Sequence, residues 1–191
     1  YRRLGDVREI AVCQGKIADI LQDRGQLDEA LTILQQEALP AFQRLGDVRE
    51  IAVCQGRIAD ILQDRGQLDE ALTIREQEQL PIYRRLGDVR AIAVTQGKIA
   101  DILQARGQLD EALRIREQEQ LPALERLGDV RALLVSRANL AINLLQRDAP
   151  GDRDRARDLL TLALADARRL GIPEAGQIEA ILKQHGFQPE A

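Results

Sequence analysis

Leu45–Arg85 has the sequence LGDVREIAVCQGRIADILQDRGQLDEALTIREQEQLPIYRR, and this text recurs along the chain. Copies begin at Leu4, Leu45, Leu86 and, in a diverged form, Leu127, so three successive intervals are 41 residues long. The first two copies are identical at 34 of 41 positions, and the second and third at 33. A fixed period between about 20 and 50 residues is typical of proteins whose stacked units share one core. The sequence therefore predicts an array of like units.

The copies divide the chain into six segments of one predicted repeat domain. Tyr1–Arg8 has the same sequence as Tyr83–Arg90, where the text is expected to end one helix and begin the next. The chain is therefore expected to begin inside an array. The segments are the tail of a preceding repeat (1–3), repeat 1 (4–44), repeat 2 (45–85), repeat 3 (86–126), a degenerate repeat 4 (127–170), and a C-terminal capping helix with its tail (171–191).

Each repeat is predicted to form two antiparallel helices, A and B, which makes the fold all-α. In repeat 1, Gly5 is expected to end the preceding helix in the left-handed conformation, and Asp6 to cap helix A, which starts near Val7. Gly25 is expected to end helix A, and helix B to start near Leu27.

Two residues break the helical pattern at the same place in repeats 1 to 3. In repeat 1, Gln14 lies in the middle of the apolar face of helix A. Pro40 lies inside helix B, where it removes a backbone hydrogen bond and crowds the carbonyl of Gln36, at a cost of about 3 kcal/mol. Helix B is therefore predicted to be kinked or broken near Leu39. Because a buried amide needs partners, Gln14 is predicted to reach the backbone or Glu37 near this kink.

Repeat 4 lacks both residues, since Arg137 stands in place of the glutamine and Ala165 in place of the proline. This double change is consistent with a contact between the two positions. The alternative is independent drift in a terminal repeat.

Glycines inside helix A also need an explanation. Gly15, Gly56 and Gly97 occupy equivalent interior positions, where glycine costs roughly 1 kcal/mol relative to alanine. Close approach of a neighbouring helix is the predicted compensation.

Composition excludes several classes of protein. Charged residues make up 30% of the chain, aromatic residues 2%, and the net charge is −4 with both signs interspersed. A nucleic-acid-binding protein would instead show a basic stripe. No window approaches 18 uninterrupted apolar residues, and no apolar signal region is present, so the sequence predicts a cytoplasmic protein without a membrane partner.

The residues needed for catalysis are missing from the sequence. His185 is the one histidine, and neither cysteines nor paired acids surround it. No glycine-rich phosphate loop is present. We therefore expect no enzymatic activity, no metal and no cofactor. Cys13 and Cys54 are interpreted as small packing residues, because equivalent residues of stacked helices lie roughly 8–10 Å apart, too far for a disulfide.

The spacing of Ala18, Leu21, Gly25 and Ala30 in IADILQDRGQLDEAL resembles the tetratricopeptide repeat (TPR), which normally has 34 residues. The longer unit, with LGD between copies, is similar to the kinesin-light-chain and MalT-like variants. Such arrays resemble the sensor regions of bacterial STAND signalling ATPases. The resemblance covers Leu4 to about Leu170 and implies a right-handed, TPR-like α-solenoid.

The resemblance also places a protein or peptide ligand on the concave face, which helix A lines. The slot that holds an asparagine in the family contains a cation in repeats 1 to 3 and Asn139 in repeat 4. Acidic residues follow on the next exposed turns. The alternative is that these charges only solvate the helix surface. The predicted ligand-binding residues are Lys16, Asp19, Asp23, Arg57, Asp60, Asp64, Lys98, Asp101 and Asn139.

The sequence thus favours a non-enzymatic interaction module, within which the ligand-sensing repeat region of a larger signalling protein is the leading interpretation. The alternative is a structural spacer or self-associating scaffold. Because near-identical repeats have near-identical end faces, a homo-oligomer through the exposed N-terminal repeat is predicted.

Overall fold

The structure, a computed structural model, describes residues 2–187, with side chains from residue 6 onward. Residues 1 and 188–191, at the ends of the two predicted tail segments, lie outside the described residues. The described part of the chain contains helices and no strands. It divides into two compact units, Tyr1–Thr95 and Gln96–Ala191.

Unit 1 contains helix pairs in which the second helix changes type along its length. Its elements are α1 (Arg2–Asp23), α2 (Leu27–Ile33), a π-helical segment (Leu34–Ala38), α3 (Leu39–Leu45), α4 (Val48–Asp64), α5 (Leu68–Thr73), a second π segment (Ile74–Gln79), α6 (Leu80–Leu86) and the first part of α7 (Val89–Ala105).

Unit 2 continues the same order and then departs from it. After the rest of α7 come α8 (Leu109–Ile115), a third π segment (Arg116–Gln120), α9 (Leu121–Leu127), α10 (Val130–Arg147), α11 (Asp152–Leu170) and α12 (Glu174–Gln184). Long helices A therefore alternate with composite helices B until α11, and the predicted all-α fold of TPR-like helix pairs is confirmed.

The LGD motif lies where one helix ends and the next begins. Gly46 has a φ of 66°, and its N–H donates to the carbonyl of Gln43 (3.1 Å), while the N–H of Asp47 donates to the carbonyl of Phe42 (3.1 Å). These bonds satisfy carbonyls that the last turn of a helix leaves free. The Asp47 carboxylate then accepts from the N–H of Glu50 (3.2 Å) and so caps α4.

In repeat 1 the predicted boundary is wrong. Helix α1 begins at Arg2 and continues without interruption through Gly5 and Asp6. The physical reason is that glycine permits the left-handed conformation that ends a helix but does not require it, so Gly5 and Asp6 take helical positions inside α1.

The predicted kink in helix B takes the form of a π turn directly before each interior proline. Leu39 donates its N–H to the carbonyl of Leu34, five residues back, and Leu80 and Leu121 donate in the same way to Arg75 and Arg116. The change of hydrogen-bond register therefore lies directly before the proline, which has no N–H to donate.

Helix α11, which has Ala165 in place of the proline, contains no π segment. Its fully buried residues are spaced four, three and four apart: Ala156, Leu160, Ala163 and Ala167. In repeat 1 the corresponding buried residues are four apart throughout: Ala30, Leu34, Ala38 and Phe42. Each π segment therefore accommodates one extra residue and keeps both halves of helix B facing the core.

Removing the extra residue is expected to destabilise repeat 2. Deleting the exposed Gln77 forces Pro81 into an α-helical register, and we expect the free energy of unfolding to fall by about 3 kcal/mol. Urea denaturation measures the change. Adding Pro81→Ala to the deletion should recover most of the loss, with Pro81→Ala alone as the control. Equal losses with and without the proline would contradict the explanation.

The C-terminal helix covers the last helix pair of unit 2. Predicted for about Pro173–His185, it is observed at Glu174–Gln184. Its Ile178 and Leu182 are buried in one core cluster with Leu160 and Leu164 of α11. Gln177, Lys183 and Gln184 of α12 remain exposed, as expected for a terminal cap.

Candidate interaction surface

The glutamine in the apolar face of helix A is bound to the π segment of its own helix B. Gln55 Nε2 donates to Glu78 Oε2 at 2.7 Å, and Gln96 Nε2 donates to Glu119 Oε2 at 2.6 Å. Gln14 makes the same bond to Glu37. Gln55 is only 7% exposed, so the amide is held in place and not solvated. The contact predicted between the two anomalies is confirmed.

Repeat 4 keeps a tie between helices A and B with different chemistry. Arg137 Nη1 lies 3.0 Å from Asp166 Oδ2 on α11, and both side chains are largely shielded from solvent. An ion pair thus stands where the other repeats have a glutamine–glutamate bond.

Two buried polar side chains in the π segments were not predicted from the sequence. Arg75 is 2% exposed, and its guanidinium donates to Asp60 Oδ1 (2.7 Å) and Gln79 Oε1 (2.9 Å). Gln79 in turn donates to the carbonyl of Ala52 (3.1 Å). The π segment of repeat 2 is therefore hydrogen-bonded to its helix A at two levels.

Repeat 3 contains the same arrangement. Arg116 is 1% exposed and pairs with Asp101 and with Gln120 (3.3 Å). Gln120 Oε1 also accepts from Ser136 Oγ (2.8 Å) of α10. The Arg–Gln pair thus connects one repeat to the next.

A signal for these residues was present in the differences between repeats. Repeat 1 has Leu34 and Ala38 where repeat 3 has Arg116 and Gln120. The facing residue changes with them, since Cys54 packs its thiol 3.8 Å from the carbonyl of Leu34, whereas a serine faces Gln120. Burial raises the pKa of Cys54 to about 11, so this thiol is protonated at neutral pH and behaves as a packing residue.

The glutamines also explain the glycines in helix A. A Cβ on Gly56 would lie 2.2 Å from Gln79 Nε2, and a Cβ on Gly97 would lie 2.2 Å from Gln120 Nε2. The prediction of close helix approach is corrected here, because a buried amide occupies the space. At Gly15 the nearest atom is the flexible end of Arg57, at 2.9 Å.

Several of the predicted ligand-binding residues are engaged within the protein. Arg57 Nε and Nη2 donate to the two carboxylate oxygens of Asp19, at 2.8 and 3.1 Å, and so connect α4 to α1. Asp60 and Asp101 accept from the buried arginines described above. Asp64 accepts from Gln22 Nε2 at 2.6 Å.

The remaining predicted residues differ in exposure. Lys16 and Asp23 are exposed on α1, whereas Lys98 and Asn139 are half-buried on α7 and α10. Several charges on the helix-A face therefore bind other residues within or between repeats, whereas Lys16 and Asp23 on α1 are exposed.

A ladder of ion pairs also joins the starts of successive helices A in unit 1. Arg8 lies 2.8 Å from Asp47, and Arg49 lies 2.7 Å from Asp88. The hydrogen bond from the backbone N–H of Ala91 lowers the pKa of Asp88, and the smaller contribution of Arg49 acts in the same direction. Both favour the carboxylate form. Each capping aspartate therefore serves its own helix and the repeat before it.

The outer face of α1 carries an exposed apolar stripe, which we call the α1 stripe: Ile10, Cys13, Ile17 and Ile20. Ile17 is 47% exposed and Ile20 is 52% exposed. Their counterparts on α4, Ile58 and Ile61, are 3% and 0% exposed, because α4 packs against helix B of repeat 1. A surface that is core in repeat 2 is thus presented to solvent in repeat 1.

Two features are absent from the described residues. Their His, Cys, Asp and Glu side chains form no group of three or more able to hold a metal ion. Within the same residues, no helix combines the length and apolarity that a membrane crossing needs.

Comparison with solved structures identifies the fold as a TPR-like repeat array. BtubC (BKLC) from P. vanneervenii superimposes with a TM-score of 0.69 at 19% identity, covering 100% of this chain and 91% of that one. A Podosopora anserina putative kinesin light chain with nearly identical TPR-like repeats gives 0.53 at 18% identity, covering 93% and 94%. A single-substitution variant of that Podosopora anserina protein gives 0.53 at 17% identity, covering 93% of each chain. No protein-family model and no curated protein sequence matches the chain.

Proposed function

We propose that this chain is a non-enzymatic module that binds protein or peptide, and that it forms the ligand-sensing repeat region of a larger cytoplasmic signalling protein. The α1 stripe is the observation that carries the proposal of protein binding. Exposed apolar patches of this kind mark protein interaction sites. The partner that we propose for the stripe is a second copy of the chain.

Light scattering coupled to size exclusion tests this pairing. We expect a dimer whose fraction rises with concentration in the unmodified chain, and a monomer after Ile17→Glu, because the new carboxylate would be buried at the contact. Leu162→Glu is the matched control, since Leu162 on α11 is also 47% exposed and belongs to unit 2, whereas the stripe belongs to unit 1. A strict monomer at high concentration, or equal effects of the two substitutions, would contradict the pairing.

The sensor role places a ligand on the helix-A face near the accessible charges Lys16 and Asp23. This role is supported by the resemblance to sensor arrays. Its test is titration of a purified partner onto the chain and onto Lys16→Glu. Asp154→Lys, on the exposed surface of α11, serves as the charge-reversal control. Loss of binding in Lys16→Glu alone supports the role, and equal binding by all three proteins contradicts it.

A scaffold without a dedicated ligand is the second candidate function. It is favoured by the ion pairs that hold Asp19, Asp60 and Asp101, since these carboxylates connect helices and are not available to a ligand without breaking those contacts. The scaffold would be selected if the chain associates with itself and Lys16→Glu changes the binding of no partner.

A further inference from the structure

Unit 2 contains an open cleft of about 500 Å³ on the helix-B side of the last two repeats. One wall consists of the third π segment and α9, the other of α11, and Leu140 of α10 lies between them. Leu121, Pro122 and Leu159 supply the other apolar lining. Leu140 is 2% exposed, so the cleft reaches down to the core.

The position of the cleft follows from the difference between its walls. The helix that ends with α9 contains a π turn and a proline, whereas α11 is a regular α-helix. Two helices pack closely only where their side-chain ridges keep a matched spacing. Beside Leu121 and Pro122 this match is lost, and the gap stays open.

The polar rim of the cleft has an excess of negative charge. Its charged residues are three carboxylates and one guanidinium: Glu117, Glu125, Asp158 and Arg155. Arg155 crosses the cleft to Glu117 at 2.5 Å. The Glu125 side chain is 58% exposed, and its ion-pair partner Arg137 is 3.9 Å away. The Asp158 side chain is 72% exposed and lies 3.3 Å from its neighbour Arg157.

We propose that this cleft binds a short basic segment of a partner protein, with a leucine-like side chain against Leu140 and Leu159 and lysine or arginine side chains at Glu125 and Asp158. Apolar lining accounts for the aliphatic group, and the exposed carboxylates of Glu125 and Asp158 account for the cations. The inference rests on the proposed protein-binding function and gives it a second surface, formed by residues of unit 2, whereas the α1 stripe and Lys16 belong to unit 1.

Fluorescence anisotropy with a labelled heptapeptide of alternating lysine and leucine tests the proposal. Saturable binding is expected, and a glutamate–leucine counterpart and a lysine–serine counterpart should each bind at least about tenfold more weakly, which is 1.4 kcal/mol. In the double variant Glu125→Lys with Asp158→Lys, the lysine–leucine peptide should lose at least about tenfold in affinity, because two attractive contacts become repulsive.

Asp154→Lys is the matched control, because Asp154 is a 77% exposed side chain one turn from Asp158 on α11 and does not line the cleft. It should change the affinity less than twofold. Absence of binding to the unmodified chain would overturn the cleft proposal, as would equal losses in the control and the double variant. If Lys16→Glu or Ile17→Glu abolished binding while the cleft variant bound normally, protein binding would stand and the cleft would be wrong.

Discussion

Replacing Asp101 with alanine is expected to lower the free energy of unfolding by about 3 kcal/mol, the lower end of the cost of breaking a buried ion pair, because Arg116 is buried while the Asp101 side chain is 35% exposed. Arg116 is 1% exposed and would retain only Gln120, at 3.3 Å, among its side-chain partners in the described part of the chain. A guanidinium cannot relieve this by losing its proton. Urea denaturation followed by circular dichroism measures the change.

Asp19→Ala is the matched control, because Asp19 occupies the same helix position in repeat 1. Its partner Arg57 is 27% exposed, and Asp19 itself is 46% exposed, so water can replace the contact. The expected loss is about 0.2–1 kcal/mol. Equal losses for Asp101→Ala and Asp19→Ala would contradict the importance assigned to burial.

A rescue variant sharpens this test. Arg116→Leu, Gln120→Ala and Ser136→Cys together install the apolar combination found around Leu34. Since well-packed apolar residues often replace a buried ion pair without loss, adding these changes to Asp101→Ala should recover most of the stability.

Gly56→Ala is expected to destabilise the protein by about 1–3 kcal/mol, although alanine is the better helix former. The added methyl would lie 2.2 Å from Gln79 Nε2, and Gln79 is buried and bonded to Arg75 and to the carbonyl of Ala52. The amide would have to leave these partners. Thermal unfolding of the variant measures the loss.

Gly15→Ala should have the opposite sign. Its new methyl meets only the mobile end of Arg57, so the helix propensity of alanine should stabilise the protein by up to about 1 kcal/mol. Combining Gly56→Ala with Gln79→Ala, the residue type present at Ala38, should reduce the destabilisation. A stabilising effect of Gly56→Ala on its own would contradict the assigned role of Gln79.

Much of the fold follows from local sequence. The 41-residue interval, the LGD cap and the glycine at 25 predicted helix pairs with boundaries close to those observed. The hydrogen bond between Gln14 and Glu37 was also predictable, because an amide in an apolar face has few hydrogen-bond partners within reach. The boundary at Gly5 failed because glycine permits a left-handed helix end without requiring it, and α1 continues through this residue.

The candidate site was less predictable. Charge and spacing placed Lys16, Asp19, Asp60 and Asp101 on the same face of successive helices A. Spacing along a helix does not say which of these charges contacts an arginine from another helix. Arg75 and Arg116 were missed because an arginine in a repeat of mixed charge has the pattern of a surface residue.

By itself, the sequence of this protein determined the repeat, the helix pairs and the terminal cap, because these depend on periodicity and on contacts within a few residues. Tertiary structure alone decided that the extra residue before each proline becomes a π turn, that Gln79 fills the space above Gly56, and that Asp19, Asp60 and Asp101 of the helix-A face are bound internally. The physical reason is that each of these results from packing between helices, where distances of a few ångströms select one partner among several that the sequence allows.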